Sequence, residues 1–192
     1  MSSRRRHRWN DSPPPIWRIR FRIGYGPFEQ TSRPVDRYCV VMAIGVGDVA
    51  PDFTLEGTGG PFTLENCRGH SVVLAFYPGD NTPVCTMQLN SYSEEIEAFE
   101  DLDTLVVGLS PQSVSSHEEF STKQGGFNFP LLADTDKAVG KLYGILGPLG
   151  FYRRSVFVID PNGIVTYAHR SATGVTFRRT EELVSALAKT AN

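Results

Sequence analysis

The chain has little cysteine, and nothing organises the few it has. Cys39, Cys67 and Cys85 stand at irregular spacing in 192 residues and make no disulfide framework. There is no Cys-x-x-Cys, which argues against a disulfide reductase, and no Cys/His cluster at zinc-ligand spacing. His70, His117 and His169 are too dispersed for a metal site and are expected at surface or loop positions. The pattern therefore implies neither metal nor cofactor. No apolar run approaches the roughly 20 residues that cross a bilayer, so no membrane span is expected. No internal repeat occurs at a solenoid period. Individual thiol roles in a reducing, cytoplasmic setting are what these absences leave.

The small net charge of −2 conceals two unlike parts. Residues 1–41 hold nine arginines, no lysine and three acids, whereas residues 42–192 hold ten basic and eighteen acidic residues. Such asymmetry marks a boundary. The first part is rich in Arg, Pro and Ser, and no apolar period survives in it. No apolar core follows the basic start, as a secretory or twin-arginine signal requires, and Pro13–Pro15 would break the amphipathic helix of a transit peptide. The cluster Arg4-Arg5-Arg6-His7-Arg8 can attract polyanions, but no nucleic-acid partner is expected. Residues 1–41 read as a disordered extension or as sequence outside the mature protein, with the domain beginning at Met42.

From Gly45 the pattern changes. Phe53–Leu55 and Phe62–Leu64 flank a glycine-rich turn and predict a hairpin. Val72–Tyr77 and Leu105–Leu109 are uncharged runs of a length suited to strands buried on both faces. Helices are predicted from about Pro83 to Glu100, near Ser113–Lys123, over Asp136–Tyr143 and over Thr180–Lys189. Phe129–Leu132 predicts a short strand. Val156–Ile159 and Ile164–Tyr167 are strands joined by the turn Asp160-Pro161-Asn162-Gly163. This order predicts one α/β domain with a central mixed sheet and helices on both faces.

Cys85 occupies the junction where the strand Val72–Tyr77 hands over to a helix. Pro83 suits the first helical position, and Thr82 is placed to cap it. A cysteine in a first helical turn faces backbone N–H groups and the positive end of the macrodipole, both of which favour thiolate. Cys85, Leu89, Tyr92, Ile96 and Phe99 recur at spacings of 4, 3, 4 and 3, an inward stripe that turns the sulfur toward the protein. Gln88 lies on the neighbouring face, within reach of the sulfur. Ionising an ordinary cysteine gains only some tens-fold in rate, so a fast reaction also needs groups that stabilise charge on a leaving atom. Thr82 is either such a group or a helix cap. Arg153-Arg154, preceding the strand Ser155–Ile159, are either its cationic partner or a solvated strand end.

Phe76-Tyr77-Pro78-Gly79-Asp80-Asn81-Thr82-Pro83-Val84-Cys85-Thr86 resembles the active-site loop of the peroxiredoxins, Pro-x-x-x-Thr/Ser-x-x-Cys, which Pro78, Thr82 and Cys85 fill without a gap. Gly47–Leu55 resembles that family's domain start, and Arg154–Asp160 its arginine-bearing strand. The likeness spans about residues 45–190, and the stretch from Asp80 to Gln88 is most similar to the bacterioferritin-comigratory, or peroxiredoxin Q, branch. The resemblance implies a thioredoxin-like fold and a thiol-dependent peroxidase acting on hydrogen peroxide and organic hydroperoxides. It makes Cys85 the cysteine oxidised to sulfenic acid. Thr82 and Arg154 would hold and polarise the peroxide, Pro78 would shield the sulfenate, and Gln88 would support the arginine. A redox sensor that passes oxidation from Cys85 to a partner protein would use the same residues. The family also allows a homodimer.

One departure bears on mechanism. Many members of that branch carry a resolving cysteine five residues after the first, and this chain has Asn90 there, about 140° round the helix from Cys85. Cys67 precedes the strand that Cys85 follows, and seven extended residues span roughly 23 Å, far beyond disulfide reach. Cys39 lies in the extension. The expected mechanism uses one cysteine and an external thiol: thioredoxin, a glutaredoxin-like protein or a low-molecular-weight thiol. After one equivalent of peroxide, peptide mapping should therefore find no Cys67–Cys85 disulfide. Finding that bond in quantity would overturn the expectation.

Overall fold

The computed structural model describes residues 44–171 and 176–190. The readings made for residues 1–41, including Cys39, lie outside them. The chain opens with a hairpin of β1 (Thr54–Leu55) and β2 (Phe62–Thr63), followed by a 3-10 turn at Leu64–Cys67. Then come β3 (Ser71–Phe76), α1 (Pro83–Glu94), α2 (Glu97–Glu100), β4 (Thr104–Ser110), α3 (Val114–Gln124) and β5 (Leu131–Ala133). The remainder is α4 (Ala138–Leu142), β6 (Ser155–Ile159), β7 (Val165–Arg170) and α5 (Thr180–Thr190).

Five strands form one mixed sheet in the order β5-β4-β3-β6-β7. β3 is central, parallel to β4 and antiparallel to β6. Its six residues are all buried, which is why its sequence is a continuous apolar run and not an alternation. Successive side chains still point to opposite faces, so β3 divides its residues between two cores. Val72, Leu74 and Phe76 join Phe157, Ile159, Phe53, Phe62, Val139 and Tyr143 on the face covered by the hairpin and α4. Val73, Ala75 and Tyr77 join Val156 and Val158 on the other face, with Leu89, Phe99, Phe120 and Leu183 from α1, α2, α3 and α5.

Two expectations needed correction. The helix predicted from Pro83 to Glu100 breaks at Glu95 and Ile96, giving α1 and α2. Glu94, Glu95, Glu97 and Glu100 crowd this stretch and are exposed, and no basic residue occupies the last turn of α1. Acids there oppose the macrodipole and repel one another, which weakens the helix where it breaks. The inward stripe survives: Leu89, Tyr92 and Phe99 are buried and Ile96 packs against them. The second correction is His117, expected at the surface and found fully buried on α3. His169 lies half-buried within β7, and His70 lies in the turn before β3, its Nδ1 2.8 Å from Asp103 Oδ1.

Cys67 and Cys85 belong to opposite faces of the sheet, and both are free thiols. The Cys67 Sγ–H points at the Thr63 carbonyl, 3.8 Å away, and burial pushes this thiol up to about 11. Because the folded state raises its pKa, Cys67 stays a neutral thiol until the medium is strongly alkaline. At pH 7 iodoacetamide should label Cys67 in the native protein more than about a hundredfold slower than free cysteine, accelerating as the pH approaches 11. Labelling at the free-cysteine rate, read by mass spectrometry of its peptide, would contradict this.

Candidate functional site

The register of β3 against β6 builds the site. Phe76, the last residue of β3, pairs with Ser155, the first of β6. Arg154 therefore stands at the end of β3 where the chain leaves for α1. It shares the side-chain parity of Val156 and Val158, which face α1. Arg153, one residue earlier, has the opposite parity and is half-buried, so geometry selects Arg154 from the pair.

The loop from Pro78 to Thr82 then turns the chain into α1. Asn81 takes φ 58°, a left-handed conformation that asparagine tolerates better than most residues. Gly79 passes beside Gln112, whose Nε2 would lie 3.2 Å from any Cβ at that position. Gln112 Oε1 accepts the Asp80 backbone N–H at 2.8 Å and the Ser110 hydroxyl at 3.0 Å. Pro78 is exposed on the loop. Thr82 occupies the cap position in extended conformation, but no side chain caps α1. Its hydroxyl donates instead to the Gly79 carbonyl at 3.3 Å, so its expected role as a helix cap is not what the structure shows.

Cys85, Gln88 and Arg154 converge in a dry environment, at 0 %, 0 % and 2 % exposure. Arg154 Nη2 donates to Cys85 Sγ at 3.2 Å, and Nη1 donates to Gln88 Oε1. That bond orients the Gln88 amide, whose Nε2 donates to Tyr92 Oη at 3.4 Å. Tyr92 in turn donates to the Arg178 carbonyl at 2.6 Å. The line Arg154–Gln88–Tyr92 thus ties the guanidinium to α1 and to the segment before α5. Burial pushes the Tyr92 phenol well up, so it remains a proton donor. The main chain of Arg154 is held as well, its carbonyl accepting the Ser171 N–H at 2.8 Å. A guanidinium costs much to bury unless it is hydrogen-bonded. Aimed at a sulfur, it stabilises negative charge forming there, without reorganising when a reaction begins.

Asn90, five residues after Cys85, donates to Gln124 Oε1 on α3 at 3.3 Å. Among the described residues no group of three or more His, Cys, Asp or Glu is gathered to hold a metal ion, and no helix is long and apolar enough to cross a membrane. Sequence reasoning missed a second network, on the far side of the loop. Tyr77, Ser116 and His117 all hydrogen-bond to Asp80 there. The available signal was the spacing of three from Val114 to His117 and from His117 to Phe120, which puts the histidine on the stripe of α3 that faces inward.

The chain resembles known proteins in sequence and in fold. The AhpC/TSA family matches residues 46–168. A peroxiredoxin of Thermoplasma volcanium is 41 % identical over 135 residues, covering 66 % of this chain. The chain spans just under two thirds, 65 %, of that relative's own length. A putative peroxiredoxin bcp of Helicobacter pylori is 38 % identical over 128 residues, 62 % of this chain and 84 % of the relative. Among solved structures, the bacterioferritin comigratory protein of Xanthomonas campestris, studied for alkyl peroxide reduction, has a TM-score of 0.65 and 31 % identity. That match covers 73 % of this chain and 92 % of the other. With its mixed five-stranded sheet flanked by helices, the chain has the thioredoxin-like fold and belongs to the AhpC/TSA family of peroxiredoxins.

Proposed function

We propose that the chain is a thiol-dependent peroxidase that reduces hydrogen peroxide and organic hydroperoxides through a sulfenic acid on Cys85. The observation that carries this reading is the Arg154 guanidinium, buried and 3.2 Å from the Cys85 sulfur. A binding module has no use for a cation held against a thiol. The alkyl peroxide reduction studied in the Xanthomonas relative supports organic hydroperoxides as substrates.

The chemistry assigns each group a part. The thiolate of Cys85 attacks the terminal oxygen of the peroxide, an S–O bond forms and the O–O bond breaks. The electron pair leaves on the departing oxygen, which takes a proton and departs as water or an alcohol. Arg154 polarises that oxygen as charge develops, joined by the Thr82 hydroxyl once it turns from the Gly79 carbonyl, with the Cys85 backbone N–H contributing. Gln88 holds the guanidinium in register. Pro78 limits access of further oxidant to the sulfenic acid. An external thiol then attacks the Cys85 sulfenic sulfur, releasing water and leaving a mixed disulfide. A second thiol reduces that disulfide and restores Cys85.

The one-cysteine version is supported by the placement of Cys67 on the opposite face of the sheet and by Asn90 at the fifth position after Cys85. Thioredoxin, a glutaredoxin-like protein or a small thiol would serve as reductant to the domain that begins near Met42. The decisive experiment is peroxide consumption in excess thiol. The wild type and Cys67→Ser should turn over continuously with at least one of these donors, whereas Cys85→Ser should fall to background. Full activity in Cys85→Ser would end the reading. A single equivalent consumed without turnover would favour a sensor over an enzyme, and an equally severe loss in Cys67→Ser would end the one-cysteine version.

A further inference from the structure

The loop that carries Asp80 and leads to Cys85 is anchored by a buried cluster of hydrogen bonds. The Asp80 carboxylate accepts the Tyr77 hydroxyl at 2.8 Å on Oδ1 and the Ser116 hydroxyl at 2.6 Å on Oδ2. His117 Nδ1 lies 2.9 Å from Oδ2 and 3.1 Å from Oδ1, and the two side chains are 0 % and 1 % exposed. The other ring nitrogen, Nε2, lies 3.2 Å from the Leu132 carbonyl. The imidazole thus bridges the loop carboxylate on one side and the β5 main chain on the other.

The surroundings agree. Burial raises the Asp80 pKa, but hydrogen bonds from His117 and Ser116, the His117 charge and the Tyr77 hydroxyl outweigh it, and the net shift is downward. Tyr77 is pushed well up by burial and by Asp80, so it stays a donor. The titratable groups facing the imidazole are Asp80 from the loop and Tyr77 from the end of β3. β5 presents the Leu132 carbonyl and α3 presents Ser116. Tyr77 packs in the same core as Cys85.

We propose that His117 is a positioning residue: its contacts with Asp80 and the Leu132 carbonyl lock the loop Pro78–Thr82 against α3 and β5 and so hold Cys85 facing Arg154. The proposal rests on the reading of Cys85 as the reacting thiol. Its consequence follows from the burial of that sulfur, which a peroxide can approach as a small molecule but which a larger thiol reaches only when the loop moves. The lock therefore favours oxidation of Cys85, which needs the closed constellation, and restrains reduction of the sulfenic acid, which needs access. Because the folded state lowers the Asp80 pKa, the lock is complete above the ordinary carboxylate range. It is lost as the pH falls through Asp80's lowered value.

The test uses the full chain as wild type, His117→Asn, Asp80→Asn and the double variant. Hydrogen exchange of amides in residues 79–86 should quicken at least about tenfold in each single variant, with β6 and α5 unchanged. The rate of Cys85 oxidation by hydrogen peroxide should fall about tenfold while attack by dithiothreitol on the oxidised enzyme is equal or faster, a split that general destabilisation does not produce. The double variant should be no worse than either single one, as for partners in one interaction. In acid the wild type should lose protection of this loop, and Asp80→Asn should show no such limb. Unchanged exchange and rates in both single variants would overturn the proposal. So would exchange raised throughout the sheet with both rates reduced together. If the wild type shows no oxidation by peroxide, the functional reading falls, and exchange alone still decides for or against the lock.

Discussion

The antiparallel pairing of β3 with β6 is the constraint on which the site depends. It sets Ser155 opposite Phe76 and so delivers Arg154 to the point where the chain departs toward Cys85. A slip of one residue would carry the guanidinium to the other face of the sheet, against Phe76 and Tyr143 and away from the Cys85 sulfur. The register is secured from both sides, because Val156 and Val158 fit one core and Phe157 and Ile159 the other. The apolar packing of the sheet and the placing of one cation are the same event.

Two polar networks then grip the segment around Cys85. On the α1 side, Arg154, Gln88 and Tyr92 run in one line of hydrogen bonds to the Arg178 carbonyl. On the α3 side, Asp80, Tyr77, Ser116 and His117 hold the loop. Burying a charge costs several kcal/mol unless partners replace its water, and a fold selected only for stability would fill such places with hydrocarbon. Charges retained in both networks, flanking one thiol, are the signature of a site in which position matters more than stability. The other cysteine among the described residues, Cys67, sits among apolar groups with its thiol pushed up to about 11.

Much of this was legible in the residues themselves. Val72–Tyr77 and Leu105–Leu109 announce buried strands because a central strand shows no polar face. The stripe from Cys85 to Phe99 fixes which way the sulfur points. The loop pattern and the arginine-bearing strand together indicate the family. What stayed hidden depends on partners distant in sequence. His117 and Asp80 are 37 residues apart, and no local periodicity says that one will meet the other. Thr82 has the sequence of a cap, yet its hydroxyl turns back to Gly79. The break between α1 and α2 follows from charge crowding that a hydrophobic stripe cannot register.

The account stands on the contact between Arg154 and Cys85, and the most direct test is the second-order rate at which hydrogen peroxide oxidises Cys85 in Arg154→Gln. Oxidation is followed by trapping the sulfenic acid in a protein whose thermal transition shows it to be folded. Loss of one preorganised donor to developing charge predicts a rate lower by about 10²–10³. A rate within about threefold of the wild type, less than one lost hydrogen bond to a charge would cause, would contradict the central claim.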